Sequence, residues 1–188
     1  CLNLDSVAVH RDGVLAGQTT YRIYFQSATP NDFVTAVFGN DSIPLSLTTT
    51  TSFYQHPVGG ASPQSINPLL FPNFPELVHD SYVTIGLSQA AVAGDGENAP
   101  SLVASPNQDW ISTFEPGSGA PGSSFVIDDI IGGLWFIYNG DANGYPDAQG
   151  RVLLAQLTTD GEVGGMLNVQ YFPTGGVAIG SSVHVDEW

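Results

Sequence analysis

Glycine and proline interrupt this chain from one end to the other: 22 glycines and 13 prolines are distributed over 188 residues. Inside a helix, glycine costs about 1 kcal/mol and proline about 3 kcal/mol relative to alanine. Long helices are therefore excluded, and no stretch carries the 3.6-residue apolar rhythm of an amphipathic helix. Short segments rich in β-branched and aromatic residues lie between the interruptions. Leu2 to His10 is the first, with Leu2, Leu4, Val7 and Val9 nearly alternating. In Gln18 to Gln26, Tyr21, Ile23 and Phe25 fall on one face and Arg22 and Tyr24 on the other. Phe33 to Phe38, Ile43 to Thr51, Ser81 to Leu87, Ser124 to Ile127, Leu134 to Tyr138, Arg151 to Thr158, Gly165 to Phe172 and Val177 to Val185 follow.

About ten short strands separated by turn signals such as Asp95-Gly96 and Asp160-Gly161 predict an all-β fold, a β-sandwich or jelly roll. Two long loops interrupt it, Gln55 to Asp80 and Gly94 to Gly122, with a short helical turn expected within Asn67 to Phe74. Residues 1–188 read as one domain, with 1–12 a candidate exchanged N-terminal strand. A hydrophobic content of 42% sets intrinsic disorder aside. No apolar run approaches the roughly 18 residues of a membrane-spanning helix.

Charge narrows the partners. Eighteen carboxylates stand against three arginines, Arg11, Arg22 and Arg151, and there is no lysine. A net charge of -15 repels nucleic acid and anionic membranes and attracts divalent cations. Charged residues make up only 11% of the chain, so Ser, Thr, Asn, Gln and Gly must cover much of the surface. The only cysteine, Cys1, permits no internal disulfide; its thiol is free, is paired with another chain, or is the lipid-bearing residue of an exported protein.

No nucleophile elbow, metalloprotease, phosphate-loop or paired-cysteine motif is present, so no enzyme is expected. Gly117, Gly119 and Gly122 match a dinucleotide fingerprint in spacing, but Pro121 interrupts it and a strand follows. His10 with Asp12, and His184 with Asp186, are spaced to share a strand face, which makes a joint metal site conceivable if the chain ends meet. Asp128 and Asp129 are neighbours and would point to opposite faces, whereas Glu76, Glu97 and Glu115 fall in loops; a hydrolase using paired carboxylates is the third-ranked function.

The loop Asn139 to Asp147 is the best local candidate for a cation. Asp141, Asn143 and Asp147 offer hard oxygen ligands suited to calcium, although the twelfth-position Glu of an EF-hand is missing. The competing reading is an Asx-rich hairpin loop between Leu134–Tyr138 and Arg151–Thr158. Tyr138 and Tyr145 beside these polar residues are candidates to stack on sugar rings. Asn40-Asp-Ser42 is a glycosylation sequon, and Thr48 to Thr51 could carry O-glycans.

Four segments, Thr19 to Tyr24, Thr49 to Gln55, Asp80 to Gly86 and Gly150 to Gly161, resemble a group of uncharacterised secreted β-rich proteins of environmental, largely aquatic, bacteria. The resemblance spans Thr19 to about Phe172 and brings no catalytic residues. It implies an exported structural or adhesive role at the cell surface or beyond it. The leading expectation is a subunit that assembles with other copies of itself into a fibre or layer, donating the strand that carries Leu2, Leu4, Val7 and Val9. An edge without lysine lacks one common guard against such pairing. A calcium-assisted carbohydrate-binding or adhesin module, with glycans as partners, ranks second.

Overall fold

The computed structural model describes residues 1–173 and the backbone of 182–187. It is a two-sheet antiparallel β structure, as the alternation and the dispersed glycine and proline predict. The first sheet holds β1 (Leu2–Val9), β2 (Thr19–Gln26), β9 (Arg151–Thr159) and β5 (Tyr82–Val83), in that order. The second holds β3 (Phe33–Gly39), β4 (Leu45–Thr49), β6 (Ser101–Val103), β7 (Phe125–Ile127), β8 (Gly133–Phe136), β10 (Val163–Phe172) and β11 (Ser182–Glu187). Only part of the strand expected over Val177 to Val185 lies within the described residues, and it pairs there with β10.

The second sheet is simpler than its strand count. Met166 pairs with both β4 and β11, and Asn168 to Tyr171 pair with both β3 and β11. A strand has two edges, so β3 and β4 must lie end to end along the same edge of β10. They are one strand broken by an excursion at residues 40–44. Asn168, fully buried, patches the break: its Nδ2 donates to the carbonyls of Phe38, Ile43 and Pro44 at 2.9–3.1 Å. Asn40 closes the same excursion, its Oδ1 accepting from the Ser42 and Ile43 amides at 2.9 Å, which places the sequon on a tight turn.

One apolar cluster joins the sheets. Ile23, Phe25, Val152, Leu154 and Leu157 of the first meet Val37, Leu45, Leu47, Trp135, Leu167 and Val169 of the second. Each such side chain contributes about 1.5–3 kcal/mol on burial. The five-residue helix α1 (Trp110–Phe114) adds Trp110 and Phe114 to this core from the second long loop. Trp110 stacks on Phe125 at 5.0 Å and lies so close over Gly133 that a Cβ there would sit 2.8 Å from its Nε1.

Two connections cross the sandwich, one at a turn signal and one where an Asx-rich hairpin loop is the competing reading of the sequence. Asp160-Gly161 joins β9 of one sheet to β10 of the other. The loop Asn139 to Asp147 likewise runs from β8 to β9 and so changes sheets; it is a crossover, not a hairpin loop. Loop length and turn chemistry look alike in both cases; partner choice lies with the two inward-facing apolar rows, which pack on each other.

The N-terminal strand sits in its own sheet, paired with β2 from Leu2↔Phe25 to Val9↔Thr19. A register shift between Ser6 and Ala8 makes Val7 a bulge. That extra residue puts Val9 on the same face as Leu2 and Leu4, which explains why the alternation changes phase within the segment. Leu2 packs against the core, whereas Leu4, Val7 and Val9 are exposed.

Candidate binding cleft

The outward face of the first sheet carries the site. Ile23 and Phe25 point into the core, so Thr20, Arg22 and Tyr24 of β2 point outward. Their cross-strand partners on β9 are Thr158, Gln156 and Leu153, and Asp5 and Asn3 of β1 stand opposite Arg22 and Tyr24. This single face has two halves.

The first half lies under the long loop Gln55 to Asp80, which folds back as a flap through 3-10 turns at Pro63–Ser65, Pro68–Leu70 and Pro75–His79. The second of these turns falls within the Asn67 to Phe74 segment expected to be helical. Ile66 and Leu77 of the flap bury themselves with Tyr82, forming a small second core. Gln156 Nε2 donates to the carbonyls of Val78 and Asp80 at 3.0 and 2.9 Å. Thr158 Oγ1 donates to the His79 carbonyl at 2.5 Å, so its oxygen must accept from Thr20 Oγ1 at 2.8 Å. With its proton spent there, Thr20 can only accept from His10 Nε2 at 2.8 Å and His79 Nδ1 at 3.4 Å. The proton inventory therefore places a proton on His10 Nε2 and on His79 Nδ1.

Asp80 closes the flap. Its carboxylate accepts from the His56 amide at 2.7 Å and the Gly60 amide at 3.2 Å, and it has no cationic partner among the described residues. Burial pushes its pKa up to about 7 against the pull of those amide donors. Burial pushes His79 down, helped by the neighbouring His10 and Arg22. His56 is also lowered by burial, with Glu76 opposing.

The second half is an open cleft of about 290 Å³. Arg22, Tyr24, Arg151 and Leu153 form its floor, and Gly86, Ser88, Glu97, Asn143, Tyr145 and Asp147 its walls. Arg151 is clamped: Nη1 donates to Asp5 at 2.9 Å, Nη2 lies 3.6 Å from Asp147, and its guanidinium sits 4.1 Å above the Tyr24 ring. Arg22 donates through Nε to Gln156 Oε1 at 2.9 Å. Tyr145 packs edge-on against Phe33 and stays partly exposed. The walls meet at Gly86, whose φ is +75° and where a Cβ would fall 1.9 Å from the Asn143 carbonyl oxygen; no side chain fits.

Of the residues proposed for cation binding, Asn143 and Asp147 line this cleft and Asp141 does not. Their oxygens are engaged within the chain. Asp141 accepts from Asn98 Nδ2 at 2.7 Å and the Tyr138 amide at 2.9 Å. Asn143 Oδ1 accepts from the Asn98 amide at 3.1 Å, while its Nδ2 donates to the Ile85 and Asn98 carbonyls. Asp147 Oδ1 accepts from the Gln149 and Arg151 amides, both at 2.9 Å. The loop's acidic character organises the crossover and positions Tyr145.

Tyr138 does not join Tyr145; it packs edge-on against Phe136 on the second sheet and is 68% exposed. His10 and Asp12 share a pocket with Glu76 and His79, at the edge of the flap. The other proposed pair, His184 and Asp186, belongs to β11 of the second sheet, and its side chains lie outside the described residues. Asp128 accepts from Gln108 Nε2 at 2.8 Å, and Asp129 accepts from the Gly132 amide at 2.6 Å and from Ser105 Oγ; both serve turns. Sequence reasoning passed over Arg22, Tyr24 and Arg151 as site residues. The available signal was their scarcity and phase: few cations, two of them on strands, and Arg22 and Tyr24 opposite the core-facing row.

The chain matches no family model, curated protein or solved structure in comparisons with each.

Proposed function

We propose that this domain is a saccharide-binding module, acting through the open half of the first sheet's outward face. The carrying observation is the cleft itself. One partly exposed aromatic ring, Tyr145, stands among fixed donors and acceptors, Arg22, Arg151, Asn143 and Asp147, above a buried Tyr24 whose face Arg151 covers, in a space of monosaccharide size. A sugar ring needs that combination: an apolar face to stack against and hydrogen-bonding groups at its edge. The walls are held by internal hydrogen bonds, so little ordering cost attends binding. The exported, surface-attached setting implied by the resemblance belongs to this proposal.

Glycan-array screening followed by titration calorimetry tests it. Selective binding that Tyr145→Ala and Arg151→Ala each reduce at least tenfold, with unchanged circular dichroism, is the expected result. Absence of binding to every saccharide class would sink the reading.

A second reading, assembly with other copies through β1, has one observation in its favour. β1 is the sheet's outer edge, it contains no fully buried residue, and Leu4, Val7 and Val9 are exposed. Donation would first require breaking its pairing with β2. Deleting residues 2–9 should abolish concentration-dependent assembly; oligomers that survive the deletion would exclude strand exchange.

A further inference from the structure

Resting on the saccharide reading, a sharper statement concerns the charge of the ligand. Eighteen carboxylates and three arginines make an unpaired cation scarce, yet two of the three arginines line one cleft. Their situations differ. Arg151 is neutralised by Asp5 and Asp147. Arg22 forms no ion pair among the described residues, and its hydrogen bonds go to neutral groups, Gln156 Oε1 and the Tyr82 hydroxyl.

That hydrogen bond is preset from behind. Gln156 Nε2 is committed to two flap carbonyls, which forces Oε1 toward Arg22 and settles the amide orientation. Gln156 itself is buried, so the arginine is held at Nε by a rigid neighbour. The buried Tyr82 ring, whose hydroxyl donates to the Ser88 carbonyl at 3.0 Å, stands beside it. A guanidinium carries five N–H donors in a planar fork; the Nε bond uses one and the Tyr82 hydroxyl engages another, which leaves three for a ligand.

The remaining charges limit what can approach. Glu97 also lines the cleft, its Oε2 accepting from the Val92 amide at 2.9 Å, and Asp147 is on the same wall. A ligand with several negative groups meets repulsion there, whereas hydroxyls can donate to these carboxylates. We infer that the cleft selects a sugar unit bearing a single anionic group, a carboxylate or a sulfate, which Arg22 takes while neighbouring hydroxyls face Glu97 and Asp147.

The test compares three oligosaccharides of equal length by calorimetry with the intact chain: a neutral glucan, a uronate and a sulfated galactan. A methyl ester of the uronate is the ligand-side control, so that the test does not depend on a variant folding. An acidic arm should bind at least about tenfold more tightly than the neutral one, the size of one charge-assisted hydrogen bond. Arg22→Gln should bring that ratio close to one. If the uronate is the preferred arm, its esterification should erase the preference, and binding should fade as the pH drops through the ordinary carboxylate range. If the sulfated galactan is preferred, binding should persist at low pH. Equal affinity for acidic and neutral sugars, or a preference that survives Arg22→Gln, overturns the inference while leaving the saccharide reading intact. No binding in any arm overturns both.

Discussion

Strands β2 and β9 run beneath two very different environments on one face. Under the flap, Thr20, Thr158 and Gln156 are fully buried and every polar group described above has a partner. A few residues further along the same strands, Arg22, Tyr24 and Arg151 look into an open cleft. Strand alternation alone makes these positions equivalent. What separates them is a 26-residue loop whose Ile66 and Leu77 find an apolar site on one half of the sheet. The sealed half is built for stability and carries the shifted Asp80, His56 and His79; the open half is built for contact.

The largest effect that would test this division is electrostatic. Asp80 has an ordinary value near 3.8 and is raised to about 7 in the fold. The folded state favours its protonated form, so the contribution to stability is full below about pH 4 and is lost as pH rises toward 7. Three pH units correspond to roughly 4 kcal/mol at most. Histidines 56 and 79 act in the other direction. Both are depressed, so the unfolded chain binds their protons more readily, and stability is lost as pH falls below about 6.5. Asp80 is the more deeply buried group and should dominate: urea-denaturation stability should decline between pH 4 and 7. Asp80→Asn should remove that decline and unmask the opposite slope of the histidines. An unchanged profile in Asp80→Asn would show that the flap is not the seat of the pH response.

Leu77→Ala should have an effect of similar size. Leu77 is fully buried in the flap's own core, so a loss of about 2–5 kcal/mol follows from removed contacts and the cavity left behind. Hydrogen exchange should then rise across residues 55–80 before it rises in β2 or β9. Uniform loosening of both halves would mean that the flap and cleft are one cooperative unit and that the division is wrong.

Arg151→Ala probes the open half and should cost less, about 1–2 kcal/mol. It removes a cation–π contact and a partly exposed ion pair, each worth about 0.5–1 kcal/mol in such a setting. Arg151→Lys should recover the ion pair better than the stacking, since an ammonium cannot lie flat on Tyr24. Thermal melts of the two variants distinguish these contributions. A loss comparable to that of Leu77→Ala would make the cleft floor a structural element of the fold.

Much of the two-sheet architecture was legible because it depends on local pattern. Dispersed glycine and proline left no room for long helices, and the alternation in Gln18 to Gln26 put Ile23 and Phe25 on one face and Arg22 and Tyr24 on the other; the fold turns the first pair inward. Long-range partnership was not legible. Nothing local in Asp160-Gly161 says that β9 and β10 belong to different sheets, and nothing near Ile43 reveals that Asn168 will hold the broken strand. The candidate site was half visible for the same reason. Asn143, Tyr145 and Asp147 formed a conspicuous cluster in sequence, but their neighbour in space Arg22 comes from a strand far away along the chain, and Arg151, four residues beyond Asp147, joins the cleft through the pairing of β9 with β2. The bulge at Val7 was visible only as an imperfect alternation, because an inserted residue resembles noise until the pairing partner is known.

The smallest expected effect concerns calcium, and it sharpens the comparison at the wall between the halves and the solvent. A cation site requires several oxygens whose free lone pairs converge. In the crossover loop, both Asp141 oxygens accept from neighbours, Asn143 Oδ1 is taken by Asn98, and Asp147 is divided between two amides and Arg151. Recruiting them to an ion would break hydrogen bonds that hold Tyr145 and the cleft wall in place. Millimolar calcium should therefore shift the melting temperature by less than about 1 °C, whereas Asp141→Ala should lower it measurably and weaken saccharide binding through the displaced wall. A calcium-dependent rise of several degrees that disappears in Asp141→Ala would reverse this assignment and make the loop a ligand-binding element in its own right.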